Sequence, residues 1–285
     1  MKGIVLAGGT GSRLWPMTRV SSKQLLPIYD KPMIYYPIST LLLANVREIL
    51  IICTPQDLRS FQELLGDGSE LGISLEYVTQ SSPDGLAQAY ILGEKFLNGE
   101  SSLMVLGDNI FYGASVGREL TNNIPKSGGH IFTYIVDEPS RYGILEVDSS
   151  GRPIGIEEKP VEPSSNLAVT GLYFFDERAS EFAKQAKPSS RGELEITSVI
   201  SKYLLLGELT YTSLGRGTAW LDTGTPDSLL EAATYIAIIE KRTGLKIACL
   251  EEIAFSSGWM DESMLRRRIT KLGHGAYARY LESLL

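Results

Sequence analysis

Lys2-Gly3-Ile4-Val5-Leu6-Ala7-Gly8-Gly9-Thr10-Gly11-Ser12-Arg13-Leu14 lies at the head of the chain, and its two halves follow different rules. Lys2–Ala7 is a short apolar run and reads as a strand. The glycines that follow form a turn whose bare backbone N–H groups can cradle phosphate. Three readings compete for such a turn. A dinucleotide fingerprint needs a third glycine, but after Gly9 and Gly11 that position holds Leu14. A P-loop needs Gly-Lys followed by Ser or Thr, and none occurs. A tight turn without a ligand is the third reading, and Arg13 and Lys23 weigh against it because two cations beside free N–H groups suit a triphosphate.

Outward from this turn, the periodicity predicts a helix over Ile34–Val46, a strand over Glu48–Cys53 and a helix over Pro55–Leu65. Leu75–Thr79, Gly85–Leu97 and Leu103–Leu106 continue as strand, helix, strand, the rhythm of βαβ units with a parallel sheet. Beyond Pro125 the rhythm breaks. Ile131–Val136, Gly143–Val147, Ile154–Glu158 and Ala168–Phe175 read as strands separated by turns, which predicts antiparallel additions. Helices are expected at Glu177–Ala186, Glu193–Leu206 and Asp227–Lys241, and short strands at Leu209–Ser213 and Ala219–Asp222. The fold class expected is α/β: a Rossmann-like mixed, mainly parallel sheet flanked by helices, with antiparallel additions and a helical C-terminal tail. The expected organisation is one α/β domain over 1–241, in halves of about 1–110 and 111–241, followed by a helical extension over 242–285.

Composition narrows the function. The chain has 285 residues and a net charge of −7, which makes nucleic acid an unexpected partner. Residues 1–31 run against that balance, with Lys2, Arg13, Arg19, Lys23 and Lys31 facing only Asp30, so a small anionic ligand is expected there. No apolar run approaches the length of a membrane span, and Met1–Ala7 is too short for a signal core, so a cytoplasmic location is expected. Cys53 and Cys249 cannot build a disulfide framework or a zinc site, and His130 and His274 are the only histidines. Chemistry here must rest on carboxylates, lysines, arginines and backbone.

Longer motifs carry a resemblance. Leu6–Leu14, Pro16-Met17-Thr18 and Lys23-Gln24-Leu25-Leu26-Pro27 resemble the sugar-1-phosphate nucleotidyltransferases. Tyr29–Pro37 resembles the thymidylyl-transferring branch that acts on glucose 1-phosphate. Gln80–Ala89, Leu106–Asn109, Arg141–Gly143, Glu157–Pro160, Val169–Tyr173, Arg191–Thr197 and Ala219–Thr225 extend the resemblance, in order, over nearly the whole chain.

That resemblance implies a reaction joining dTTP and α-D-glucose 1-phosphate into dTDP-glucose and pyrophosphate, with Mg²⁺ as cofactor. It implies catalytic roles for Arg13, Lys23, Asp108 and Lys159, and metal ligation by Asp108 and Asp222. Leu6, Gly8, Gly9, Thr10, Gly11, Gln24, Gln80 and Gly85 would bind the nucleotide, Gln80 and Gly85 at the thymine. Tyr142, Gly143, Glu158, Lys159 and Val169 would bind the sugar phosphate. Plain periodicity objects at one point: neighbours on a regular strand face opposite ways, so Glu158 and Lys159 share a cleft only if the chain twists before Pro160. The same periodicity weakens a glycosidase reading of Glu157 and Glu158.

The resemblance further implies a homotetramer and a second, regulatory nucleotide site at Tyr112, Gly113, Arg118, Arg216, Glu252 and Ile253. Two departures stand out. The stretch after Gly113 lacks the family's histidines, and Pro226 replaces a histidine common in the family, which is expected to move the helix start. A non-catalytic nucleotide-sugar binding protein, and a transferase for another base or sugar, are the alternatives.

Overall fold

The computed structural model describes residues 1–285. The first strand, β1 (Lys2–Ala7), is buried along its whole length. A small hairpin of β2 (Pro27–Ile28) and β3 (Lys31–Pro32) leads into α1 (Tyr35–Leu43), then β4 (Glu48–Cys53), α2 (Leu58–Leu65) and β5 (Ser74–Thr79). Two short helices, α3 (Gln88–Leu92) and α4 (Glu94–Leu97), precede β6 (Ser102–Leu106). Strands β1, β4, β5 and β6 are parallel neighbours, β1 lying between β4 and β6. Side chains alternate across this sheet. Val5, Ile49 and Ile51 join one apolar core, whereas Ile4, Leu6, Leu50 and Ile52 join the core on the opposite face.

The second half adds β7 (Asn109–Tyr112), α5 (Val116–Asn122), β8 (Gly129–Ile135), β9 (Gly143–Val147), β10 (Pro153–Glu158) and β11 (Leu167–Phe175). Then come α6 (Ala179–Gln185), α7 (Ile196–Leu205), β12 (Leu209–Ser213), β13 (Ala219–Asp222) and α8 (Pro226–Thr243). Strand β11 runs antiparallel to β6, β8 and β9, so the expected antiparallel additions graft onto the parallel sheet at that strand. β12 differs from its neighbours in pairing parallel with β8. In the tail, α9 (Leu250–Ser256), α10 (Glu262–Leu272) and α11 (Ala276–Glu282) bury Leu250, Leu265, Ile269 and Leu281 in the core that α1 shares. Arg268 Nε donates to the buried Glu251 carboxylate at 2.9 Å and ties α10 to α9.

Several boundaries depart from the sequence expectation for identifiable reasons. The helix expected from Gly85 begins at Gln88, and the one expected from Glu193 begins at Ile196. Leu194 N donates to Asp84 O at 2.6 Å and Ala87 N donates to Leu194 O at 3.0 Å, so these backbone groups pair across the two segments instead of within a helix. Strand β7 carries little signal in the sequence, because it is four residues long and its partner is the distant β13. Helix α8 starts at Pro226, a first-turn position that needs no N–H, with the Thr225 hydroxyl accepting from Ser228 N.

His130 on β8 is buried, its ring nitrogens bonded to the hydroxyls of Thr210 (2.8 Å) and Thr212 (3.1 Å) on β12. Burial pushes its pKa down to about 4, against about 6.5 in the unfolded chain. The unfolded state therefore takes up a proton first on acidification. The associated stability is whole at pH 7 and lost as pH falls from about 6.5 to about 4. Between pH 7 and pH 5 that loss is about 2 kcal/mol. His130→Gln should lose about that much less over the same interval, measured by urea unfolding; an unchanged pH dependence would remove His130 from the account.

Candidate active site

A cavity of about 760 Å³ opens where β1 and β6 end, the edge at which parallel sheets bind ligands. Leu6, Gly8, Gly9, Thr10, Gly11, Arg13, Lys23, Gln24, Gln80 and Gly85 line it from the first half of the chain. Asp108, Tyr142, Gly143, Glu158, Lys159, Val169 and Asp222 line it from the second. The residues assigned from the sequence to catalysis, nucleotide, sugar phosphate and metal therefore share one cleft. The glycine loop is shaped for close approach: Gly9 adopts φ +96° with open space around it, and Thr18 Oγ1 donates to Gly11 O at 2.7 Å to hold the turn.

Two carboxylates meet in this cleft through strand pairing. Asp108 immediately precedes β7, Asp222 ends β13, and the antiparallel ladder sets Asp222 opposite Asn109. The Thr223 hydroxyl locks the junction by donating to Asp108 O at 2.7 Å. Burial alone would raise the Asp108 carboxyl, but the Lys23 ammonium, ion-paired with Oδ2, brings it below the ordinary range. Asn109 Nδ2 donates to Asp108 Oδ1 at 3.0 Å, and Trp220 Nε1 donates to Asn109 Oδ1 at 2.5 Å. Burial, then the charge of Asp108, raises the Asp222 carboxyl, against the opposing pull of Lys23, Arg13 and Arg141. A pair of half-buried carboxylates in mutual repulsion is a hard-oxygen donor set suited to Mg²⁺, which takes one or two carboxylates and completes its shell with water and phosphate oxygens. No third His, Cys, Asp or Glu joins them.

At the other end, the conflict over Glu158 and Lys159 resolves through the backbone. Lys159 adopts φ +47°, a left-handed conformation rare for a residue with a Cβ, and this twist turns it into the same cleft as Glu158. Lys159 Nζ lies 3.9 Å and Arg191 Nη2 3.5 Å from Glu158 Oε1. Burial and the nearby Glu195 charge raise the Glu158 carboxyl. Glu157 is exposed and does not line the cavity, so no paired-carboxylate glycosidase arrangement exists there.

The cavity also contains Asn109, Arg141, Arg191 and Trp220, to which no role was assigned from sequence. Each sits inside a recognised motif, yet only contacts reveal its work: Trp220 packs on Tyr142 with centroids 5.1 Å apart, and Arg141 Nη2 lies 3.8 Å from Asp222. The six residues expected at a second site do not line this cavity. Gly113, just after β7, lies against Gly217 and Thr218, next in sequence to the exposed Arg216; Arg118 is exposed on α5. Glu252 on α9 accepts from Tyr280 Oη at 2.7 Å, and Ile253 packs on the main core.

The nucleotidyl transferase family model matches residues 2–238, and this chain belongs to that family. Its relatives narrow the class. A Neisseria meningitidis protein named glucose-1-phosphate thymidylyltransferase is 53% identical over 286 residues, covering 100% of this chain and 99% of its own length. A Mycobacterium tuberculosis protein of the same name is 51% identical over 285 residues, with the same coverage. A Bacillus anthracis crystal structure containing sucrose, provisionally described as a glucose-1-phosphate thymidylyltransferase, superimposes with a TM-score of 0.76 at 40% identity. It covers 82% of this chain and 94% of its own. A UDP-glucose pyrophosphorylase with UDP-glucose shares the fold at TM-score 0.75 and 23% identity, covering 85% of this chain and 99% of its own.

Trp220 and Asn109 together aim Asp108. Trp220→Phe keeps the aromatic packing but frees Asn109 to turn, so turnover should fall about three- to tenfold, the scale of one neutral hydrogen bond. Steady-state kinetics beside an unchanged unfolding midpoint would support this; unchanged turnover would show that Asp108 is held without it.

Proposed function

We propose that this enzyme transfers a thymidylyl group from dTTP to α-D-glucose 1-phosphate, giving dTDP-glucose and pyrophosphate. The observation that carries the reading is the convergence in one cleft of Arg13, Lys23, Asp108, Lys159 and Asp222, from both halves of the chain. Full-length relatives named for this activity support it.

A phosphate oxygen of the sugar phosphate attacks the α-phosphorus of dTTP, forming the new P–O bond. The bond from the α-phosphorus to the bridging oxygen breaks, and pyrophosphate leaves with the electron pair. The nucleophile is already ionised at neutral pH, so no general base is required. His130, buried between threonines, offers none. Positioning and electrostatics then carry the catalysis. The glycine-loop N–H groups, Arg13 and Lys23 hold the triphosphate and stabilise charge on the leaving pyrophosphate. Lys159 holds the sugar-linked phosphate, with Arg191 as a second cation beside Glu158. Glu158 accepts from sugar hydroxyls, with Tyr142, Gly143 and Val169 around the ring. Gln80 and Gly85 meet the base. Mg²⁺, held by Asp108 and Asp222, would neutralise phosphate charge. Assembly as a homotetramer draws support from apolar side chains exposed on α8, Leu230 at 67% and Ile238 at 54%. No helix is long and apolar enough to cross a membrane.

Lys159→Ala should raise the KM for glucose 1-phosphate far more than that for dTTP. A charge-assisted bond contributes about 1.5–3 kcal/mol, so a rise of roughly ten- to a hundredfold is expected in a pyrophosphate-release assay. Both residues carry a Cβ, so the left-handed backbone costs each about equally. Equal effects on the two substrates would instead assign Lys159 to the triphosphate. Asp222→Asn should remove most turnover while preserving the fold, because a neutral amide ligates Mg²⁺ poorly. Near-normal rates at limiting Mg²⁺ would rule out the metal assignment.

A further inference from the structure

Behind the nucleotide end of the cavity, three side chains form a hydrogen-bonded chain. Gln80 Nε2 donates to Gln88 Oε1 at 2.6 Å, and Gln88 Nε2 donates to Asp84 Oδ2 at 2.9 Å. Gln80 lines the cavity; Gln88 and Asp84 do not. An ionised carboxylate can only accept, so Gln88 must turn its NH₂ group to Asp84 and its carbonyl to Gln80. Gln80 must then turn its own NH₂ group to Gln88. The polarity of both amides follows from the single charged end of the chain. That end is anchored, because Ser82 Oγ donates to Asp84 Oδ1 and Leu194 N donates to Asp84 O at 2.6 Å. The remaining atom, Gln80 Oε1, faces Gly8 so closely that a β-carbon at position 8 would stand 2.1 Å from it.

We infer that Gln88 is a positioning residue for base selection, which holds Gln80 with an acceptor toward the base edge. The inference rests on the proposal that Gln80 meets the nucleobase. Thymine and uracil carry a hydrogen on N3, whereas cytosine has a lone pair there. An amide free to turn over would serve either pyrimidine, while one fixed with its carbonyl outward pairs with the N–H and repels the lone pair. Adenine, with a lone pair on N1, is rejected by the same sign. Guanine carries a hydrogen on N1, so this device does not act against it.

The test compares dTTP with dCTP by kcat/KM in pyrophosphate release and by calorimetric binding, in the wild type and in Gln88→Leu, Gln88→Glu, Gln88→Lys and Gln80→Leu. Unfolding midpoints establish that each variant is folded. Gln88→Leu frees the amide, so the dTTP preference should fall about five- to tenfold, the scale of a lost neutral hydrogen bond, with the KM for glucose 1-phosphate unmoved. Gln88→Glu still offers an acceptor to Gln80 and should retain most of the preference, even if its charge beside Asp84 weakens both nucleotides. Gln88→Lys presents a donor, so Gln80 should turn its carbonyl inward and dCTP should gain. A merely structural role would weaken both nucleotides alike and leave their ratio unmoved. An unchanged ratio in Gln88→Leu and Gln88→Lys overturns the inference. Gln80→Leu separates the two levels: a wild-type ratio there means Gln80 does not meet the base, and the underlying reading fails. A collapsed ratio there, with Gln88→Leu unchanged, defeats the relay alone.

Discussion

Two half-buried carboxylates, Asp108 and Asp222, share one cleft, and much of the site is arranged around their repulsion. Like charges held close where water is partly excluded repel one another, and that repulsion must be offset for the fold to stand. The chain answers with a cation from each direction. Lys23 pairs with Asp108, while Arg13 and Arg141 bear on Asp222. The ladder between β7 and β13 and the Thr223 bond keep the pair from separating.

The same arrangement suits a chain with only two histidines, one of them buried between threonines. Its substrates carry the nucleophile's negative charge already, so the protein has to gather anions rather than move protons. Cations come from five separate parts of the cleft: Arg13 in the glycine loop, Lys23 before β2, Arg141 before β9, Lys159 just after β10 and Arg191 before α7. The acidic surface elsewhere confines that attraction to the site, consistent with a net charge of −7 and a basic N-terminal segment.

Much of the fold was legible because its parallel half obeys local rules. Apolar runs in β1, β4 and β6 alternate with helical periodicity, and both sheet faces are covered. The glycine loop and the carboxylates after β6 and at the end of β13 were legible as motifs. Less readable were elements defined only by a distant partner. β7 exists because β13 pairs with it, and α3 and α7 start late because Asp84 and Ala87 bond across to Leu194. Arg141 and Arg191 lay within recognised motifs, but their work depends on proximity to Asp222 and Glu158.

The sequence by itself determined the layer architecture, the open glycine turn and the scarcity of histidine, because these follow from period, glycine placement and composition. Only the tertiary structure decided that Glu158 and Lys159 face the same cleft, through a left-handed residue that no pattern of polar and apolar side chains specifies. It also decided which way the Gln80 amide faces. Glutamine presents donor and acceptor with equal ease, and only a neighbouring carboxylate, met through Gln88, makes one of them face outward.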